Sequence, residues 1–427
     1  MAEPWNAGIV VAALSDVGMR RANNQDAFAT LPADSAERFA RRGHLFVVAD
    51  GMGAHAAGEL ASKMAAEKIS QYYLKQSTAE PAKALRLAVQ EANADIHRRG
   101  QENPEFYNMG TTASSIAITP EGVIIAHVGD SRVYRLRDGK LEQLTFDHSL
   151  VWEMEASGQV HANSSLRNAI PKNVITRSLG PSEEVLVDME GPFPIKNGDC
   201  FLLCSDGLTG QVDDEEIGPL LDCLPPESAA RALVDLANLR GGNDNTTTVI
   251  VKIANAASST VPARKHRDPK NSVPWLIIFT PIFCFVAALL LGIFGNIGPM
   301  VVAVILGLIA AGVAFMQFQR LAKTTDEDSP AKPNRSAPYR TFSAKATDDL
   351  VKKLSSVVDA LKAAAEERKW TVDWTGVDAS VAEASAARSR ADFKAAIRHH
   401  ALAIIATMAQ LRTQHKRAAD STHGHPR

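Results

Sequence analysis

From residue 8 to about residue 255 the chain alternates short apolar runs with longer amphipathic ones. "GIVVAALSD", "LFVVAD", "TTASSIAIT", "GVIIAHVGD" and "CFLLCSD" are bounded by Gly, Asp or Pro and predict strands. "SRVYRLRDGKLEQLT" (Ser131 to Thr145) places Asp138-Gly139 between two β-rich halves, the signal of a hairpin. "AGELASKMAAEKISQYYLKQ" and "PAKALRLAVQEANADIHRRG" repeat apolar residues at helical spacing. These helices come in succession rather than alternating singly with strands. That order predicts helices packed on antiparallel sheets, an α+β architecture, more than a doubly wound parallel sheet.

After Ile253 the pattern changes. A small, polar and basic linker covers 256–273, and no charged residue occurs from Asn271 through Gln319. "WLIIFTPIFCFVAALLLGIF" (Trp275 to Phe294) and "MVVAVILGLIAAGVAFMQF" (Met300 to Phe318) each have about the 20 residues that a bilayer core requires. With "GNIGP" as the turn, they predict a transmembrane helical hairpin over 274–319. Arg264, Lys265, Arg267 and Lys270 precede it and Arg320 and Lys323 follow it, which places both chain ends on the cytoplasmic side of a plasma (inner) membrane. A polar linker (320–343), a helical region (344–418) and a short tail (419–427) complete the division. The helical region offers a surface for self-association or docking.

A length of 427 residues fits two or three units. The formal net charge of -2 gives no basic field, so nucleic acid is not expected as a partner. Cys200, Cys204, Cys223 and Cys284 form no C-x-x-C pair and predict reduced, buried thiols. The first residues lack the basic start and apolar core of a signal peptide.

The candidate chemistry lies in acidic residues at strand ends or in turns: Asp26 in "RANNQDAF", Asp50 in "VVADGMG", Asp130 in "HVGDSRVY", Asp206 in "CSDGL" and Asp244 in "GGNDNTT". Carboxylates converging from separate strands, without Cys or well-placed His, suit hard divalent ions such as Mg²⁺ or Mn²⁺. Gly51 after Asp50 lets a backbone carbonyl approach a cation. Taken singly, each Asp-Gly is an ordinary turn; the joint pattern is the signal.

In the order "SDVGMRRANNQD", "VVADGMGAHAAGE", "MGTTASSIAI", "VGDSRVYRL", "LTFDHSLV", "VITRSLG", "LLCSDGLTG" and "GGNDNTTTVIV", residues 8 to 253 resemble the bacterial metal-dependent serine/threonine protein phosphatases of type 2C. The resemblance implies a sandwich of two antiparallel sheets flanked by helices. It implies that Asp50 bridges two metal ions (Mn²⁺ or Mg²⁺), with the Gly51 carbonyl on one of them and Asp206 and Asp244 on the other. Asp26 would act through metal-bound water, and Asp130 with Asp206 would form a looser third site. Arg21 would hold the substrate phosphate, because a guanidinium forks onto phosphate oxygens as lysine cannot. Attack by a metal-held hydroxide, with no phosphoenzyme, is the implied mechanism. Phosphorylated proteins are the implied substrates, with Ser/Thr protein kinases as the opposing activity.

Gln25 and Met52 stand where the resemblance gives animal members a metal-binding glutamate and a histidine, Gln25 being common in bacterial forms, and Ala54 replaces a usual glycine. His148 in "FDHS" reads as a structural hydrogen-bonding residue, and Val151 to Asn173 matches in place a variable flap. A catalytically silent scaffold recruiting partners through the C-terminal helices is the alternative. The retained aspartates and Arg21 argue against it. A transporter is poorly supported, since the apolar spans contain no ionisable residue.

Overall fold

The computed structural model describes residues 8–53, 56–76, 80–160, 170–171, 174–254 and 337–423, with scattered positions between 289 and 311. Its main unit joins Met1–Thr260 to Arg335–Arg427, and Val261–Asn334 forms a second. Two antiparallel sheets carry the main unit. The first has β1 (Ile9–Asp16), β7 (Arg132–Arg137), β8 (Lys140–Gln143), β10 (Cys200–Cys204), β11 (Thr246–Ile253) and β12 (Arg340–Ser343), in the order β1-β11-β10-β7-β8-β12. The second has β2 (Asp26–Leu31), β3 (His44–Met52), β5 (Ala113–Thr119), β6 (Gly122–Val128) and β9 (Asp188–Phe193) in the order β2-β3-β5-β6-β9, with β4 (Gly110–Thr111) on the end of β3.

The unbroken apolar text of "LFVVAD" follows from burial on both faces. Phe46 and Val48 point between the sheets with Ile116, Phe201, Leu203 and Val249. Leu45, Val47 and Ala49 point the other way, onto the buried sides of α2 (Ala56–Lys75) and α3 (Pro81–Glu102). α1 (Ala36–Arg42) and α4 (Leu150–Ala156) are short, and α5 (Asp206–Thr209) is a single turn. On the outer face of the first sheet lie α6 (Asp214–Cys223) and α7 (Pro226–Leu239). The Asp138-Gly139 hairpin forms as expected, both residues at positive φ (51° and 71°) between paired Arg137 and Lys140. Cys200, Cys204 and Cys223 are free and buried.

The C-terminal region departs from the sequence division. Residues 340–343, placed in a linker, form β12, which pairs Arg340 with Gln143 and Ser343 with Lys140 on the edge of the first sheet. The helical region then folds as α8 (Asp348–Arg368), α9 (Thr375–Ser389) and α10 (Phe393–His423), the last running past the expected boundary at 418, and belongs to the same compact unit as the two sheets. Leu354, Val358, Ile397 and Ile404 share one core with Leu220, Leu221, Leu233 and Leu236. The break between α9 and α10 has a local cause: Ala391 turns to φ 58° and the Asp392 carboxylate accepts from the Ala395 amide at 3.0 Å.

Ion pairs across this junction have one polarity. The cations Arg340, Lys353 and Lys394 come from the C-terminal region and meet Glu155 (2.8 Å), Glu216 (3.6 Å) and Asp222 (2.6 Å). Arg412 meets the fully buried Asp235 in the same sense. The hairpin expected over 274–319 falls outside the described residues except at scattered helical positions. Among the described residues no helix is long and apolar enough to cross a membrane.

Candidate metal centre

Strand register brings the predicted carboxylates to one end of the sandwich. Asp26 opens β2 directly opposite Asp50 on β3, and Asp130 follows β6 in the turn into β7. Asp206 follows β10, and Asp244 lies just before β11, whose first residues flank the end of β10. Ser205 joins the two sheets here: its hydroxyl donates to Asp26 Oδ2 at 2.7 Å and accepts from the Thr247 amide at 2.9 Å.

The electrostatics of this cluster call for a cation. Burial, followed by Asp26 and the other carboxylates, pushes Asp50 well above the usual carboxylate range. Burial raises Asp26 to about 7 against its hydrogen bonds to Ser205 and Thr247, and raises Asp130 to about 8 with Asp206 and Asp147 adding to it. Asp206 is raised by burial and by Asp244, with a hydrogen bond to Asp50 pulling the other way. One oxygen each of Asp26, Asp130 and Asp206 is buried without a hydrogen-bond partner. Buried carboxylates that raise one another and keep free lone pairs are a donor set that a hard divalent ion satisfies. Among the described residues no point is enclosed by three His, Cys, Asp or Glu donors.

Arg21 is paired with another predicted residue. Its Nη2 lies 2.6 Å from Asp244 Oδ2, both side chains part-exposed, so the expected phosphate ligand is paired with an expected metal ligand. A guanidinium here supplies positive charge at the rim of an otherwise acidic cluster.

Gly51 sits where no side chain fits: a Cβ would lie 2.1 Å from the Gly58 carbonyl oxygen and 2.6 Å from that of Gln25. The Gly51 amide donates to the Gln25 carbonyl at 3.0 Å. Gln25 Nε2 also donates to the Gly53 carbonyl at 3.3 Å. Ala54, His55 and residues 161–169 lie outside the described residues.

Several supporting residues were missed in the sequence. Asn245 accepts from the Gln25 amide at 2.8 Å and donates to the Val17 and Asn23 carbonyls, fixing the loop that carries Arg21. The asparagines flanking Asp244 were its only signal. Thr112 exchanges backbone and side-chain hydrogen bonds with Asp50 and contacts the Ser131 hydroxyl at 2.7 Å. His148, read as structural, latches Gly129: its amide donates to the Gly129 carbonyl at 2.8 Å, and its Nδ1 accepts from the Gly129 amide at 2.9 Å. Its Nε2 lies 3.2 Å from Asp188 and 3.0 Å from the Arg177 guanidinium, and burial holds this histidine below its ordinary pKa. Gly129, at φ 111° and immediately before Asp130, is fixed by this latch.

A pH dependence follows. A carboxyl whose folded pKa is raised contributes most below its unfolded value near 3.8, and that stability is lost as pH rises through the folded pKa. Metal-free protein is expected to melt at progressively lower temperature from about pH 4 to pH 8, and saturating Mn²⁺ to reverse the trend at the upper end. Melting curves in chelator and in Mn²⁺ across that range check it; a flat metal-free profile contradicts it.

Residues 19–237 match the family described as Protein phosphatase 2C. Protein phosphatase PhpP of Streptococcus pneumoniae serotype 2 is 35% identical over 248 residues, 57% of this chain and 97% of its own length. The S. agalactiae serine/threonine phosphatase structure superposes with a TM-score of 0.52 at 32% identity, covering 57% of this chain and 99% of its own. The catalytic domain of the serine threonine protein phosphatase PstP, solved in complex with 2 manganese ions, is 33% identical and covers 58% of this chain and 99% of its own, with a TM-score of 0.49. The matched region holds Asp26, Asp50, Asp130 and Asp206, and Asp244 lies beyond it. On fold and sequence together, the chain belongs to the protein phosphatase 2C family, the PP2C-type serine/threonine phosphatases.

Proposed function

We propose that the chain is a membrane-anchored, metal-dependent phosphatase acting on phosphoserine and phosphothreonine of proteins through a dinuclear centre. The observation that supports it best is the group of buried, mutually repelling carboxylates with orphaned oxygens beside a part-exposed arginine. Phosphatases of this family use Mn²⁺ or Mg²⁺. In this reading Asp50, the Gly51 carbonyl, Asp206 and Asp244 hold the metal pair, Asp26 acts through water, and Asp130 with Asp206 serves a third, looser site. Bound divalent ions would supply Lewis acidity and a water activated near neutral pH.

The remaining work belongs to the protein. Ser205 holds Asp26 across the two sheets, and Thr112 and the Gln25 carbonyl fix the backbone at Asp50 and Gly51. Arg21, paired here with Asp244, would turn to the substrate phosphate in the metal-loaded protein. Arg21→Ala is then expected to raise KM for p-nitrophenyl phosphate about 10-fold or more, with Arg21→Lys recovering only part, because lysine cannot fork onto two oxygens. The half-saturating Mn²⁺ concentration should fall, because Arg21 no longer competes for Asp244. Steady-state kinetics of the full chain test this; an unchanged KM in Arg21→Ala overturns the phosphate assignment.

Membrane anchoring draws on the uncharged stretch from Asn271 to Gln319 and on Leu289, Ile293 and Leu308, which are 67%, 70% and 60% exposed. Such exposure of large aliphatic side chains suits lipid better than water. Basic residues on both flanks favour a cytoplasmic location for the phosphatase region and for the C-terminal helices. Substrates would then be phosphoproteins at or near the inner face of the membrane, with Ser/Thr protein kinases as the source of their phosphate.

A further inference from the structure

We propose that Tyr339 and Arg340, which lie beyond the region shared with the phosphatase family, are positioning residues for Asp130. The inference rests on the reading of Asp130 as a metal ligand. The Tyr339 ring stands edge-on to Phe146 at 5.7 Å, its hydroxyl donates to Glu190 at 2.5 Å, and its amide donates to the Gln143 carbonyl at 2.9 Å. The Arg340 guanidinium lies 3.9 Å from the centre of the Trp152 ring and bonds Glu155 at 2.8 Å. Trp152 in turn meets Phe146 edge-on at 5.2 Å, so the two residues grip one aromatic corner from β12.

That corner adjoins the metal cluster in the chain. Phe146 is followed by Asp147, which takes a forked ion pair from Arg132 at 2.9 and 3.1 Å, and then by His148, which latches Gly129. Arg132 and Gly129 bracket Asp130 and Ser131, and Arg132 also lies 5.8 Å from the Trp152 ring. The turn bearing Asp130 is thus tied on both sides to residues 146–148, and these are packed from outside by Tyr339 and Arg340. Such support at one remove from a ligand orients it and sets affinity for the ion. The C-terminal region, which follows the uncharged stretch from Asn271 to Gln319, thereby acts on the weaker metal site without touching substrate.

The test is Mn²⁺ binding to the full chain by titration calorimetry, with Asp130→Asn as reference. Asp130→Asn is expected to remove the weaker binding event. Tyr339→Ala and Arg340→Ala should weaken that event about 10-fold and leave the tighter ones unchanged, and Arg340→Lys should recover part of the loss. A general loss of fold would move every binding event and the melting temperature together, which separates the two causes. If Asp130→Asn removes the weak event while Tyr339→Ala and Arg340→Ala leave it at wild-type affinity, the positioning role is wrong. If Asp130→Asn changes nothing, the metal reading of Asp130 fails and the inference with it.

Discussion

Asp50→Asn is expected to lower phosphoester hydrolysis by roughly 1,000-fold or more while making the metal-free chain more stable, not less. Both halves follow from the same geometry. Asp50 is the carboxylate on which Asp26, Asp206, Asp130 and Asp244 all act, which makes it the central ligand of the proposed centre. Without a cation, the same position concentrates the repulsion, and burial and like charge drive its carboxyl well above the ordinary range. An asparagine of equal size removes one charge from that group. The combined readout is turnover of p-nitrophenyl phosphate at saturating Mn²⁺ and thermal melting in chelator. Retained turnover would break the metal assignment, and a lower metal-free melting point would show that Asp50 serves folding rather than metal.

Truncation after residue 260 is expected to lower the melting temperature by about 5–10 °C or more. PhpP is covered over 97% of its own length by 57% of this chain, which suggests a domain that stands alone, and the sequence division ended that domain at residue 255. In this chain, however, the outer faces of α6 and α7 are covered. Leu220, Leu221, Leu233 and Leu236 are buried against Leu354, Val358, Ile397 and Ile404, and would meet water once α8 to α10 are removed. The cut also strips Arg412 from the wholly buried Asp235, whose carboxyl burial already raises to about 6. An uncompensated buried carboxylate is costly. Small-substrate turnover per folded molecule should persist at high Mn²⁺, because no clustered aspartate lies in the deleted part. A truncated protein melting at the temperature of the full chain would contradict the shared core.

Much of this was legible in the chain because the relevant signals are local. Strands buried on both faces are written as continuous apolar runs, and the aspartates that end them stand out because their cost demands a partner. The Asp138-Gly139 turn and the helical spacing of α2 and α3 are equally short-range. What was not legible depends on long-range pairing. "YRTFSA" around β12 carries no mark that it will close an edge 197 residues upstream, where Arg340 pairs with Gln143. The one-sided charges of the C-terminal helices acquire meaning only once Glu216, Asp222 and Asp235 lie opposite them. Likewise the Arg21–Asp244 pair joins residues whose separate roles were expected but whose contact was not.

The most direct test of the account is phosphate release from a phosphothreonine peptide by the purified full chain, wild type beside Asp50→Asn, at saturating Mn²⁺ and again after chelation. The account predicts release by the wild type alone, abolished by chelation and restored when Mn²⁺ is returned. Release that survives chelation, release by Asp50→Asn at the wild-type rate, or none from folded, metal-loaded wild type would contradict it.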